Sequence, residues 1–247
     1  MDSISINGAR IYFEIPIFGG IPITETQVNS LLVILGIFIL CKVLTHNLSV
    51  RPTTKRQIIA EWIVEKVTGL VSENMGVKHK GFVPFIAAIL GLSALSSLTS
   101  LLGMYPPTAD LNTVLGWALL VFAIITYHKI KSGGFLGYLK GFTEPIPLFT
   151  PFNILGEVAT PVSMAFRHFG NVVSGTVISA LVYAALAGLS TVVLGWLPGI
   201  LGAIPWLQVG IPAVLSIYFD LISSGIQAFI FAMLTMLYIA GAAGEDA

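Results

Sequence analysis

Charge is what this sequence has least of. Asp, Glu, Lys and Arg make up 10% of its 247 residues and hydrophobic side chains 55%, where an average soluble domain is roughly 25% charged. So few charges cannot cover a water-facing surface, which excludes an ordinary soluble domain and points to a multi-pass membrane protein. The charges also cancel, 12 Lys and Arg against 12 Asp and Glu, so no bulk field argues for nucleic acid or an anionic surface. The single cysteine, Cys41, has no second thiol to pair with, and a disulfide framework is excluded. No basic stretch followed by a short apolar core opens the chain. No cleavable signal is expected, and the first long apolar segment should remain as an anchor. No repeat period or low-complexity tract is found. No Gly-x-x-x-x-Gly-Lys-Ser/Thr occurs either, so nucleotide chemistry must belong to other chains. The chain is not expected to be an enzyme by itself, nor to carry a cofactor or a metal.

What is abundant is long apolar sequence. "NSLLVILGIFILCKVL", about residues 28–46, is a first membrane segment, with Lys42 near its end placed to snorkel. "FVPFIAAILGLSALSSLTSLLGM" (82–104) and "TVLGWALLVFAIITYHKI" (113–130) follow. Between them and the first lies 53–76, where Ile58, Ile59, Trp62, Ile63, Val67, Leu70 and Val71 recur at helical spacing opposite charges. That pattern predicts an amphipathic helix on the membrane surface. Arg51, Lys55, Arg56, Lys66, Lys78 and Lys80 crowd the stretch between the first two spans, Lys129, Lys131 and Lys140 follow the third, and the 105–112 link has no Lys or Arg. Positive-inside bias then places the N-terminus outside and the 47–80 and 131–150 loops in the cytoplasm. Two further apolar stretches, 152–188 and 209–243, are separated by Gly- and Pro-rich sequence. Each is on the order of 50 Å as a helix, against a hydrocarbon core of roughly 30 Å, so each must kink or tilt strongly. Pro161 is expected to mark a bend or a helix start. Five crossings leave the acidic tail "GEDA" in the cytoplasm. The expected fold is a single all-α multi-pass membrane domain over 1–247, its last two helices long, tilted and paired as a hairpin.

Beyond Lys140, Arg167 is the only Lys or Arg. Burying it costs roughly 3 kcal/mol on insertion scales, so a polar surround is expected. Steps of three and four from it reach Thr160, Ser163, Asn171 and Ser174, one polar stripe on an apolar cylinder. The final stretch has its own stripe: Ser216, Asp220, Ser223 and Gln227. Lipid-facing stripes are energetically excluded, so the two face each other or a wet crevice. Inter-helix bonding accounts for the Ser and Thr positions as well as function does. An intramembrane charge is by default a functional candidate, and Arg167, Asn171, Asp220 and Gln227 are singled out as such. A guanidinium stays protonated, so Arg167 cannot pass protons itself. As a fixed cation it repels other cations and favours the ionised form of any carboxylate brought near. Asp220 is the opposite kind of group, a carboxyl able to take and give protons.

"PVSMAFRHFGN" (161–171), "SGIQAFIFAMLTMLYI" (224–239) and "PPTADLNTVLGWAL" (106–119) resemble the signature segments of subunit a of F-type ATP synthases, in that family's order and spacing. The resemblance implies an ion-translocating stator, and because the tail, loops and N-terminus show no organelle-targeting pattern the expected location is a bacterial plasma membrane. Two offset proton half-channels would face a ring of c subunits, and proton flow would be coupled to ring rotation. It implies that Arg167 is the arginine facing the ring carboxylate, that Gln227 is its partner from the neighbouring helix, and that Asn171 is the adjacent polar position. The surface helix would meet the peripheral-stalk b subunits. Asp220 stands where relatives hold His, Asp or other residues, and is taken as the main half-channel acid. The chain departs from the family pattern in having His168 where a leucine is usual. His168 lies about 100° off the Arg167 stripe and is expected to be structural. It also has Gly156 where many members have glutamate, with Glu157 one step later; Glu157 fits either the second access route or a headgroup-facing position. Asp110 and Asn112 fit ion access or, more simply, a helix cap. Two other readings stand beside the stator. A secondary ion-coupled transporter should show matching broken-helix halves, and none is found. A scaffold held by polar bonds needs neither an arginine nor an aspartate at mid-membrane.

Overall fold

The computed structural model describes residues 8–16, 20–50, 54–144, 146–194, 206–208, 214–215 and 217–243. It opens with an element the apolar pattern does not announce. Two antiparallel strands, β1 (Ile11–Ile15) and β2 (Ile21–Thr24), pair Phe13 with Ile23 and Ile15 with Ile21. Helix α1 (Glu25–Leu44) follows at once, its start fixed by a bond from the Thr24 N–H to Gln27 Oε1 at 3.2 Å. Helix α2 (Lys55–Met75) is capped by Thr54, whose hydroxyl accepts from the Gln57 N–H. Its apolar face was expected to lie on the membrane surface, and only half of it is free to do so. Ile58, Ile59, Trp62 and Ile63 are exposed, whereas Val67, Val71 and Met75 are buried in the protein core. The second half of α2 is therefore held by packing rather than by lipid.

Helix α3 (Val83–Leu98) has Pro84 in its first turn and ends in a 3-10 turn, Thr99–Leu102, before Gly103 at φ +71. Helix α4 (Leu111–Gly141) runs well past the expected 113–130 and takes up much of the expected 131–150 loop. No proline interrupts it, and its backbone leaves helical geometry only at Gly134, φ +70. Helix α5 (Thr150–Leu194) has 45 residues. That is about 68 Å, so a hydrocarbon core of roughly 30 Å can hold it only if it tilts or bends. Pro161 does not start the helix as one expectation had it; the helix continues through it, and the missing N–H frees the carbonyl of Glu157. The chain returns through a π-helical stretch, Ile217–Ser223, into α6 (Ser224–Ala243). This arm is about 40 Å, shorter than α5, so the described hairpin arms are unequal. Ser216, residues 209–213 and the "GEDA" tail lie outside the described residues.

Helix α6 is the centre of the fold. Phe231, Ala232, Met236 and Ile239 on it are at most 1% exposed, packed by Val71 of α2, Ile86 of α3, Val114 and Val121 of α4, and Met164 and Ala165 of α5. By contrast α1 and α5 turn most of their large apolar side chains outward, Leu31, Phe38 and Ile39 on one and Phe152, Leu155, Leu181 and Val192 on the other. An apolar surface of that extent belongs in lipid. Among the described residues five helical segments are long and apolar enough to cross a membrane: α1, 77–102, α4, 147–193 and 217–243. Apart from the short β1–β2 pair, the architecture is all-α and multi-pass.

Candidate functional site

The seam of α5 fixes where its polar side chains point. Pro161, Met164, Ala165, His168 and Gly175 are buried along one side, at the three- and four-residue steps of a packed helix. Gly175 is there because Phe219 comes so close that an added Cβ would sit 3.3 Å from its ring. At mid-seam the anchor is His168. Its ring is fully buried, Nε2 hydrogen-bonded to Ser93 Oγ of α3 at 3.4 Å, with the Trp117 and Phe231 rings edge-on to it. A one-residue step back turns about 100°, and there stands Arg167, exposed. Among the described residues Arg167 has neither a hydrogen bond nor an ion pair. Ser163 and Ser174 are exposed beside it; Ser174 donates to the Asn171 carbonyl at 3.1 Å.

Asn171 turns away from this face. Its Nδ2 donates to Ser223 Oγ at 2.9 Å, and that hydroxyl lies 3.2 Å from Asn171 Oδ1, a reciprocal pair between the hairpin arms. The two stripes read from the sequence therefore do meet, among the described residues at this level. Asp220 lies in the π-helical stretch, where the wider turn shifts it out of simple α register with Gln227. Its Oδ1 accepts from Ser100 Oγ at the end of α3, at 3.3 Å. Gln227 is buried, and its Nε2 has no protein partner among the described residues. Ser93, Ser96 and Ser97 of α3 are buried as well, Ser93 against His168 and Ser97 against Thr108 Oγ1 at 3.1 Å. Asp220 and Ser100, with the buried Gln227 and α3 serines, thus give the bundle a group of hydroxyls, one amide and one carboxylate.

The other polar cluster is on the opposite side of Arg167. Glu157 Oε1 and Oε2 accept from Lys129 Nζ at 2.8 and 2.7 Å, and Tyr138 OH lies 3.4 Å from Oε1. These side chains line a cavity of about 550 Å³ with Ser132 and Asn153. Glu157 does not face outward unpaired; it ties α5 to α4 at a cavity wall. Along α4, Lys129 is about 28 Å from Asp110, close to a hydrocarbon thickness, so the two clusters sit near opposite ends of the bundle. Asp110 is a cap: Oδ1 accepts from the Asn112 N–H at 2.9 Å, and Oδ2 from Thr26 of α1 at 2.7 Å. Burial, then Asp110 and Glu25, push the nearby Tyr105 phenol above its usual value. Reading the chain alone used Lys129 only for orientation and left out Tyr138, Ser93 and Ser100. The serine spacing in "GLSALSSLTS" was the available signal for the last two.

The chain's relatives agree with the segments that carry this geometry. The family described as ATP synthase A chain matches residues 27–240. The "ATP synthase subunit a, sodium ion specific" of Propionigenium modestum is 32% identical over 242 residues, covering 92% of this chain and 76% of that protein. The "ATP synthase subunit a" of Anoxybacillus flavithermus is 30% identical over 249 residues, covering 96% of this chain and all of its own. That of Priestia megaterium is 31% identical over 246 residues, with coverages of 94% and 98%. The match runs through α1 to α6 and includes Arg167, so the chain belongs to the subunit a family of F-type ATP synthases, the membrane channel subunit of that complex.

Proposed function

We propose that this chain is the stator half of a rotary proton path: Arg167 faces the carboxylate of a passing c subunit, and two half-channels reach the ring on either side of it. One observation carries the reading. Arg167 is a permanent cation on a membrane helix, exposed and without a partner among the described residues, and such a group needs a counter-charge or water from elsewhere. The Asp220–Ser100–Gln227 side would be the outward route and the Lys129–Glu157 cavity the inward one. The basic residues of the 47–80 stretch support that orientation, N-terminus outside and C-terminus cytoplasmic. A proton would board the ring from Asp220, travel nearly a full turn because the guanidinium bars the short way, and leave through the Glu157 cavity. The exposed half of α2 suits the peripheral-stalk b subunits.

Ser163 and Ser174 lie within about 40° of Arg167 on the helix and are exposed, so they test this face without touching the cation. Ser163→Cys and Ser174→Cys, in a chain with Cys41 replaced, should cross-link to the ring subunit beside its membrane carboxylate. Assembled complexes that give no such product at either position would defeat the proposal.

The coupling ion we propose is the proton. A sodium path needs several free oxygen ligands converging on one point, whereas both oxygens of Glu157 are held by Lys129 and Asp220 is a single carboxylate beside Ser100. The Propionigenium modestum relative's name specifies sodium, so the contrast is measurable. ATP synthesis by this chain's complex should be unchanged between sodium-depleted and sodium-rich medium at constant pH. Stimulation by sodium would assign the other ion.

A further inference from the structure

Between Glu25 and Glu61 the chain contains no acidic residue, while Lys42, His46, Arg51, Lys55 and Arg56 all fall there. The fold brings three of these basic side chains to one place. Gln57, buried at the start of α2, donates from Nε2 to the Ser49 carbonyl at 2.6 Å and accepts the Ser49 N–H on Oε1 at 3.1 Å. That clasp folds the link back and sets the first turn of α2 beside the last turn of α1. Lys42, His46 and Arg56 there line a groove of about 420 Å³ whose remaining wall is Phe38, Ile39 and Val43. None of the three basic groups makes an ion pair among the described residues. Glu61, the nearest acid on α2, already accepts from Gln57 Nε2 at 2.7 Å.

We propose that this groove is a binding site for one anionic phospholipid. Its phosphate would sit on Lys42 and Arg56 with His46 as a further donor, and one acyl chain would lie along Phe38 and Ile39. Depth supports the assignment. The groove is at the end of a 20-residue membrane helix, about 30 Å from its start, so its cations are at headgroup level and its apolar wall is at acyl level. That wall continues into the exposed face of α1, with Leu35 next along it. A soluble phosphate would satisfy the cations and leave the apolar wall in water. A zwitterionic lipid would bring its own ammonium against two fixed positive charges. The proposal rests on the membrane fold alone and not on the role of Arg167.

The assembled complex, reconstituted in phosphatidylcholine vesicles with a minority of phosphatidylglycerol, tests it. Photo-crosslinkable acyl chains are carried on one lipid or the other, and labelled residues are mapped. The phosphatidylglycerol probe should label 38–43 in strong preference to the phosphatidylcholine probe. Lys42→Gln and Arg56→Gln should each lower that labelling roughly fivefold, and the pair should bring it to the phosphatidylcholine level. The charge-preserving Lys42→Arg should keep the preference. Both cations are exposed and unpaired, so the variants leave no buried group stranded. Equal labelling by the two lipids, an unchanged double variant, displacement by inorganic phosphate, or a groove left unlabelled because a protein chain covers it would each overturn the site.

Discussion

Arg167→Ala should abolish ATP synthesis in inside-out vesicles, by roughly a hundredfold or more, while leaving the complex assembled in the membrane. The second half of that result is what the structure adds. Most buried charges cannot be removed without stranding a partner, and the loss is then partly a folding loss. Arg167 has no partner among the described residues, and its neighbours Ser163 and Ser174 are exposed. Alanine there strands nothing and removes a side chain that costs roughly 3 kcal/mol to insert. Subunit abundance should hold or rise as activity disappears. A passive proton leak should appear as well, because in the proposed path the barrier between the two routes is the fixed charge itself. Retained synthesis in this variant would end the stator reading. A vanished subunit would instead show that the guanidinium is bound in the assembled complex by something that stabilises it.

The sequence discloses this side chain's importance more easily than its setting. Arg167 stands out because every other residue near it is neutral, and the helical steps to Ser163 and Ser174 are simple arithmetic. The same arithmetic puts Asn171 on the Arg167 stripe, yet it is drawn inward by the reciprocal bonds with Ser223. A tertiary contact outweighs a rotation of some 40°. The stripe around Asp220 is disturbed for a different reason: the π-helical turn changes the angular step, and nothing in "IYFDLIS" announces it. Glu157 was legible as a polar residue near the arginine, but its ion pair with Lys129 joins residues 28 apart in sequence, which periodicity within one helix cannot reveal. Membrane segments were legible because hydropathy integrates over many residues. Their ends were not, since α4 continues beyond Ile130 through Lys131 and Lys140, long side chains that a helix can extend to the interface. The buried face of α2 was misjudged because Val67 and Val71 look the same whether lipid or α6 covers them. The β1–β2 hairpin is too short for an alternation to stand out, with "IYFEI" and "IPIT" on either side of its turn.

Asp220→Asn separates transport from architecture on the proposed outward route. The amide is nearly isosteric, and its Oδ1 can still accept from Ser100 Oγ, a bond worth about 1 kcal/mol, so the π-helical stretch and its contact with α3 should survive. What asparagine cannot do is bind and release a proton. If Asp220 hands protons toward the ring, synthesis per assembled complex should fall about a hundredfold, the lower end of what positioned proton transfer contributes. Asp220→Glu should recover part of it, since the carboxyl returns with one more methylene of reach. The loss should also fall more heavily on uptake from the outside than on release to the cytoplasm, because the Glu157 cavity lies near the opposite end of the bundle and is untouched. A variant that depletes the subunit from the membrane while flux per remaining complex stays normal would make Asp220 a structural bond to Ser100. In that case the outward proton would have to pass by the buried Gln227 and the serines of α3 alone, with no acid in the described part of the route.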